Sequence, residues 1–95
     1  MRKYAKIDDN QSSIIENLRL LGMSVLSLAS IGNGAPDILV GRHGCNWLFE
    51  IKDGNKPPSK RKLTEDEALF SSRWRGQLHK VETLKEIVDI IQVSE

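Results

Sequence analysis

The chain reads as a mixed α/β domain with elements in the order αβββαβα, a mixed β-sheet flanked by helices. Three observations lead there. Apolar residues recur at helical spacing near both ends, two short apolar runs flank a glycine-bearing turn in the middle, and two Thr-x-x-Glu patterns each open a later helical segment. At 95 residues it is expected to form a single domain over 1–95. Burying roughly 60 to 70 % of the unfolded surface at this size supports a core without disulfides or a structural metal.

Taken in order, Asp9 to Leu21 predicts a first helix, with Ile14, Leu18 and Leu21 on one stripe, Asp9 as cap and Gly22 as stop. Asn10 and Gln11 lie one turn before Ile14 and Ile15, which puts two amides beside the buried stripe and asks for a polar neighbour. Met23 to Leu28 predicts a strand, followed by an irregular connection through Ser30-Ile31-Gly32-Asn33-Gly34. Asp37 to Gly41 and Asn46 to Lys52 flank Arg42-His43-Gly44-Cys45 and read as a β-hairpin. A turn centred between His43 and Gly44 pairs residues whose numbers sum to 87, so Asp37 stands opposite Glu50. The two-residue period then puts Lys52 on the same face, and Ile38, Val40, Trp47, Phe49 and Ile51 on the other.

Residues 53–60 are polar and proline-broken and read as a mobile loop. Thr64 with Glu67 opens a helix through Leu69, Phe70 and Trp74 that stops before Gly76. Gln77 to Val81 is a fourth strand, and Thr83 with Glu86 opens a last helix striped by Leu84, Ile87, Val88 and Ile91.

Composition excludes several classes. With 39 % hydrophobic and 28 % charged residues the chain is neither disorder-prone nor membrane-like, and no apolar run approaches the ~20 residues of a span. The start MRKYAKIDDNQ has no apolar stretch of the kind a secretory signal needs, and the single Cys45 fits a reducing compartment, so a cytoplasmic protein with no membrane partner is expected. The net charge is only +1, but it is unevenly spread. Lys52, Lys56, Lys60, Arg61 and Lys62 meet a single acid, Asp53, whereas Glu82, Glu86, Asp89 and Glu95 meet only Lys85. The basic stretch is a candidate for phosphate contact.

Two carboxylates facing each other across a hairpin repel and destabilise a sheet unless a cation sits between them. Oxygen ligands without thiolate or imidazole favour a hard ion, Mg²⁺ or Mn²⁺. Lys52 adds an ammonium to the same face, where it can orient water or balance developing negative charge. A metal, a lysine and a basic loop together point to phosphodiester hydrolysis.

Gly34-Ala35-Pro36-Asp37, twelve residues, then Glu50-Ile51-Lys52 resembles the PD-(D/E)XK nuclease signature. The longer run NQSSIIENLRLLGMSVLSLASIGNGAPDILVGRHGCNWLFEIKDG, with KLTEDEALFSSRWRG behind it, resembles the stand-alone phage and prophage members of the virus-type replication-repair nuclease (VRR-NUC) family. The resemblance implies a restriction-endonuclease-like fold, a divalent metal on Asp37, Glu50 and the Ile51 carbonyl, and Lys52 assisting the attacking water. Gln11 falls where related Holliday-junction resolvases carry a first-helix glutamate, which makes it a catalytic candidate, and Glu67 stands where relatives are expected to carry glutamine. The implied substrate is branched DNA, Holliday junctions in particular. A chain this small is expected to serve such two-fold substrates as a homodimer, acting in a bacterial host. DNA contact is assigned to Gly32, Asn33 and Gly34, whose glycines admit close approach of a backbone, and to Lys56, Lys60, Arg61 and Lys62.

Plainer roles stand beside these. Asp37, Glu50 and Lys52 could form an exposed ion-pair network, and Gln11 could satisfy backbone groups at the helix start. Trp47 and Trp74 are expected in the core or a subunit interface, not stacked on bases. His43, His79 and Cys45 are expected to be incidental. Two rivals to an enzyme remain, a nucleic-acid-binding module that kept the fold and lost turnover, and a regulatory subunit of a larger assembly.

Overall fold

The computed structural model describes residues 10–94. The elements are α1 (Gln11–Leu20), β1 (Ser24–Ser27), β2 (Ile38–Arg42), β3 (Cys45–Ile51), a short 3₁₀ turn at Pro58–Lys60, α2 (Glu65–Arg73), β4 (Leu78–Val81) and α3 (Leu84–Ser94). The expected order αβββαβα is the observed one. The sheet runs β1-β2-β3-β4, with the first three strands antiparallel and β4 parallel to β3. No helix among the described residues is long and apolar enough to cross a membrane.

Helix α1 ends as its sequence demands. The Met23 N–H donates to the Leu18 carbonyl at 3.1 Å and the Gly22 N–H to that of Arg19 at 3.0 Å, with Gly22 at φ +91°. This is a Schellman close, and the buried Leu18 and Met23 supply its apolar contact. The helix is shorter than expected. Asp9 lies outside the described residues, Asn10 occupies the cap position without a side-chain cap, and Leu21, placed on the buried stripe from spacing, is 52 % exposed because the helix has already closed. The amide of Asn10 instead donates to the carbonyls of Glu82 (3.1 Å) and Lys52 (3.4 Å), which are the polar neighbours its position asked for.

The hairpin register is the expected one: Ile38 faces Phe49, Val40 faces Trp47 and Arg42 faces Cys45, each pair summing to 87. Positive φ at both His43 (50°) and Gly44 (77°) is what a two-residue hairpin turn of right-handed strands requires. One face of the sheet is accordingly apolar. Ile38, Val40, Trp47, Phe49, Ile51 and Val81 are buried there with Ile14 and Leu18 of α1 and Ile87 and Ile91 of α3. Full burial of each such side chain contributes about 1.5 to 3 kcal/mol.

Helix α2 has no buried residue and ends at Arg73, one residue short of the expected Trp74. Leu69 is exposed, and Trp74 lies just past the helix, 46 % exposed, so of the two tryptophans expected in the core or at a subunit interface Trp47 is in the core and Trp74 is not. The reason is positional. Capped at Thr64, α2 docks by its first turn against the polar face, where a Cβ at Gly34 would collide with the backbone of Asp66, and its later turns project away from the core.

Candidate active site

The hairpin brings the ionisable groups together. The paired register ends at Ile38–Phe49, and the Asp37 N–H donates at 3.0 Å to that same Phe49 carbonyl, one residue out of the expected pairing. The Asp37 carboxylate nevertheless meets that of Glu50. The Asp37 carboxylate also accepts the Ile51 N–H at 2.6 Å, which fixes its rotamer across the end of the hairpin. Glu50 is 4 % exposed and Lys52 8 %, both on the face away from the apolar core. The Lys52 ammonium stands 3.6 Å from Glu50 and 2.8 Å from Glu67.

Glu67 is the residue to which sequence spacing assigned only a capping role. Its Oε1 accepts the Thr64 N–H at 2.8 Å, closing the capping box, and the same atom accepts the Lys52 ammonium. The Thr64 hydroxyl accepts the Glu67 N–H at 3.2 Å in return. One carboxylate thus ties the start of α2 to the end of β3. Only the Thr-x-x-Glu spacing was visible in sequence; the contact with Lys52 depends on how α2 docks.

Charge in this cluster is unbalanced. Burial, reinforced by the charge of Asp37, by hydrogen bonding with it, and then by Glu67, pushes the Glu50 carboxyl up to about 9. Burial alone would raise Glu67 too, but the hydrogen bonds it accepts from Lys52 and the Thr64 N–H outweigh that and hold it below its ordinary value. Burial likewise favours a neutral Lys52, yet its bond to Glu67 and the charges of Glu50, Glu67 and Asp37 outweigh it and hold the ammonium above its ordinary value. The cluster has more carboxylate than one lysine can neutralise.

Asp37, Glu50, Lys52 and Glu67 line a cleft of about 350 Å³ together with Gly32 and Gly34, so the glycine turn does border the site. Asn33 faces a neighbouring hollow. Ile51 buries its side chain in the core and offers the cleft only its backbone. The cleft does not reach Gln11, which is 2 % exposed at the start of α1 with an Oε1 that finds no donor. Nor does it reach Lys56, Lys60, Arg61 or Lys62. Arg61 is turned toward Glu82 at 3.7 Å, and its carbonyl accepts the Lys80 ammonium at 3.1 Å. A larger hollow of about 580 Å³ at the far end of the hairpin is lined by Arg42, His43 and Cys45 and gathers no carboxylates.

The donor set fits a hard divalent ion of modest demands. Among the described residues no group of three or more His, Cys, Asp and Glu side chains is arranged to hold a metal. Two carboxylates with backbone and water oxygens are nevertheless what Mg²⁺ commonly accepts, and a cation between Asp37 and Glu50 would take the place of the proton that Glu50 otherwise holds.

No protein-family model and no curated protein matches the sequence. A solved structure described as a VRR_NUC domain matches at 28 % identity with a TM-score of 0.62, covering 86 % of this chain and 89 % of that one. The fold is shared over most of both chains: this protein has a VRR_NUC-like, nuclease-type architecture, in keeping with the resemblance of its Gly34–Asp37 and Glu50–Lys52 segments.

Proposed function

We propose that the chain is a metal-dependent DNA endonuclease that hydrolyses phosphodiester bonds and selects branched DNA, Holliday junctions among them. The observation that carries this reading is the convergence of Asp37, Glu50 and Lys52 on one cleft, with carboxylate charge in excess of the single ammonium. Asp37, Glu50 and the Ile51 carbonyl would hold Mg²⁺ or Mn²⁺. Such an ion, when bound, polarises a phosphoryl oxygen and makes bound water a nucleophile near neutral pH.

The chain's own groups do the rest. The Ile51 N–H holds the Asp37 carboxylate in one orientation, so that the group needs no further ordering to act. The Lys52 ammonium, kept charged and aimed by Glu67, serves as donor to the attacking water or to a phosphoryl oxygen and balances the charge that develops as the ester oxygen leaves. The turn is open at Gly32, where a Cβ would meet nothing, and leaves space for a polynucleotide backbone beside the carboxylates, whereas Gly34 is closed by the backbone of Asp66. A four-way junction has approximate two-fold symmetry and exceeds the reach of one 95-residue chain, so we also propose a homodimer acting on DNA in the cytoplasm of a bacterial host.

The test is cleavage of matched linear, flapped and four-way DNA with Mg²⁺, Mn²⁺ or chelator. Asp37→Ala, Glu50→Ala and Lys52→Ala are each expected to lower the rate by at least about 100-fold, within the range for removal of an electrostatic catalytic group. Near-normal turnover by Asp37→Ala would exclude this site. Sedimentation equilibrium showing the mass of a single chain at micromolar concentration would remove the dimer.

A further inference from the structure

We propose that a shallow groove beside the cleft, formed by Trp74, Phe70, Arg73 and Asn33, seats one unpaired nucleobase of the DNA whose phosphodiester lies in the cleft. The proposal rests on the nuclease reading and adds a specificity-determining contact to it.

Trp74 is the starting point. It follows the last turn of α2, a helix with no buried residue, yet it is not loosely placed. Its ring stacks on Phe70 at 5.5 Å between centroids and 15° between planes. Its Nε1 edge lies over Gly76, where a Cβ would come within 2.8 Å of that nitrogen. One face and one edge are therefore held, and the residue is still 46 % exposed, which leaves aromatic surface for a partner. A fixed ring loses little freedom on binding.

The groove is continuous with the cleft. Asp66 lines both, and Asn33 on the groove side stands between Gly32 and Gly34 on the cleft side, all three at positive φ. A polynucleotide leaving the cleft past this turn meets Trp74 next. The hollow holds about 200 Å³, below the roughly 300 Å³ at which sites for drug-sized molecules begin, so it suits a single flat group and not a strand or helix. Its chemistry agrees. An aromatic face stacks any base, Asn33 offers an amide donor and acceptor, and Arg73, with Arg75 exposed nearby, can meet the flanking phosphate. The carboxylate of Asp66 disfavours a phosphate inside the groove itself and leaves the base as the group that enters. A paired base is stacked on both faces, so only an unpaired one can offer a face to Trp74.

The experiment compares binding, in chelator, of a flapped duplex carrying 2-aminopurine at its first unpaired nucleotide with binding of the same sequence fully paired. Cleavage is measured in parallel with Mg²⁺. Wild type is expected to favour the flapped probe and to quench the 2-aminopurine. Trp74→Ala should reduce that preference about tenfold, in line with the loss of one stacked base, and abolish the quenching. Trp74→Phe should retain most of both, and Gly76→Ala, which displaces the indole without removing it, should fall between. A preference unchanged in Trp74→Ala while wild type still cleaves would overturn the groove alone. Wild type that neither binds nor cleaves any probe would overturn the nuclease reading, and the groove with it. A change of sedimenting mass in Trp74→Ala without loss of quenching would make the groove a contact between copies of this chain and overturn the base site.

Discussion

Among single residues Glu50 is under the greatest stress. A carboxylate 4 % exposed and set against Asp37 can ionise only at a large free-energy cost, and in the metal-free protein its titration is pushed up to about 9. The unfolded chain ionises the same group near 4.5. Between these values the folded protein holds a proton that the unfolded chain has released, so stability is greatest at or below about pH 4.5 on this account and falls as pH rises towards 9. One proton gives a slope of about 1.4 kcal/mol per pH unit. Urea unfolding in chelator between pH 5.5 and 8.5 should show that decline, reduced by whatever ionised side chains elsewhere contribute. Glu50→Gln should flatten it and be more stable than wild type at pH 8. A wild-type stability that rises across this window would show that Glu50 ionises freely and that no charge strain exists for a cation to relieve. Adding Mg²⁺ or Mn²⁺ to wild type should raise the unfolding midpoint, and Glu50→Gln should lose most of that gain.

At the level of elements, the start of α2 and the end of β3 are one unit, because Glu67 Oε1 serves both the helix cap and the Lys52 ammonium. Thr64→Ala removes a cap whose hydroxyl accepts the Glu67 N–H, and should cost about 1 kcal/mol, read by chemical denaturation. It should also lower kcat with little change in KM, since a frayed first turn no longer aims Glu67 at Lys52. Glu67→Gln keeps an oxygen for the cap while losing the charge, so it should retain most of the stability and still lose rate. If Thr64→Ala lowers stability and leaves kcat intact, the cap and the lysine are independent.

These elements differ in how legible they were. The hairpin was readable down to its register because a side-chain period of two and a Gly44 turn leave one pairing that puts Val40, Trp47 and Phe49 on a single face. Extended by one residue, that register predicts Asp37 opposite Glu50; the ladder ends at Ile38, yet the two carboxylates do meet. Leu21 is misplaced, and Trp74 is outside the core, because spacing gives a stripe but not the residue at which a helix closes or lifts off the core. The Lys52 contact of Glu67 is hidden for a different reason: the two stand fifteen positions apart across loop and helix, and nothing local encodes how that crossover docks.

Over the whole molecule the sheet divides labour between its faces, with the core against α1 and α3 on one and the carboxylates under α2 on the other. The basic stretch after β3 stands outside both, and it is more firmly tied than its composition implied. The Lys60 N–H donates to the Pro57 carbonyl at 2.8 Å, the Arg61 carbonyl accepts Lys80, and the Arg61 guanidinium faces Glu82. The four cations are therefore not equivalent. Lys60 and Lys62 are exposed, whereas Arg61 is half-buried with part of its charge already balanced. If this loop follows the DNA backbone, Lys60→Gln with Lys62→Gln should lower the log–log salt slope of duplex binding by up to about 1.8, at roughly 0.9 for each phosphate no longer neutralised. Arg61→Gln alone should lower it by less than either lysine, because its field is spent on Glu82. Fluorescence anisotropy of a labelled duplex over a range of salt concentrations measures both. An unchanged slope in the lysine pair would make the loop a solvated connector, and the backbone path would then run from the Gly32–Gly34 turn toward Arg73 and Arg75, whose replacement should carry the slope instead.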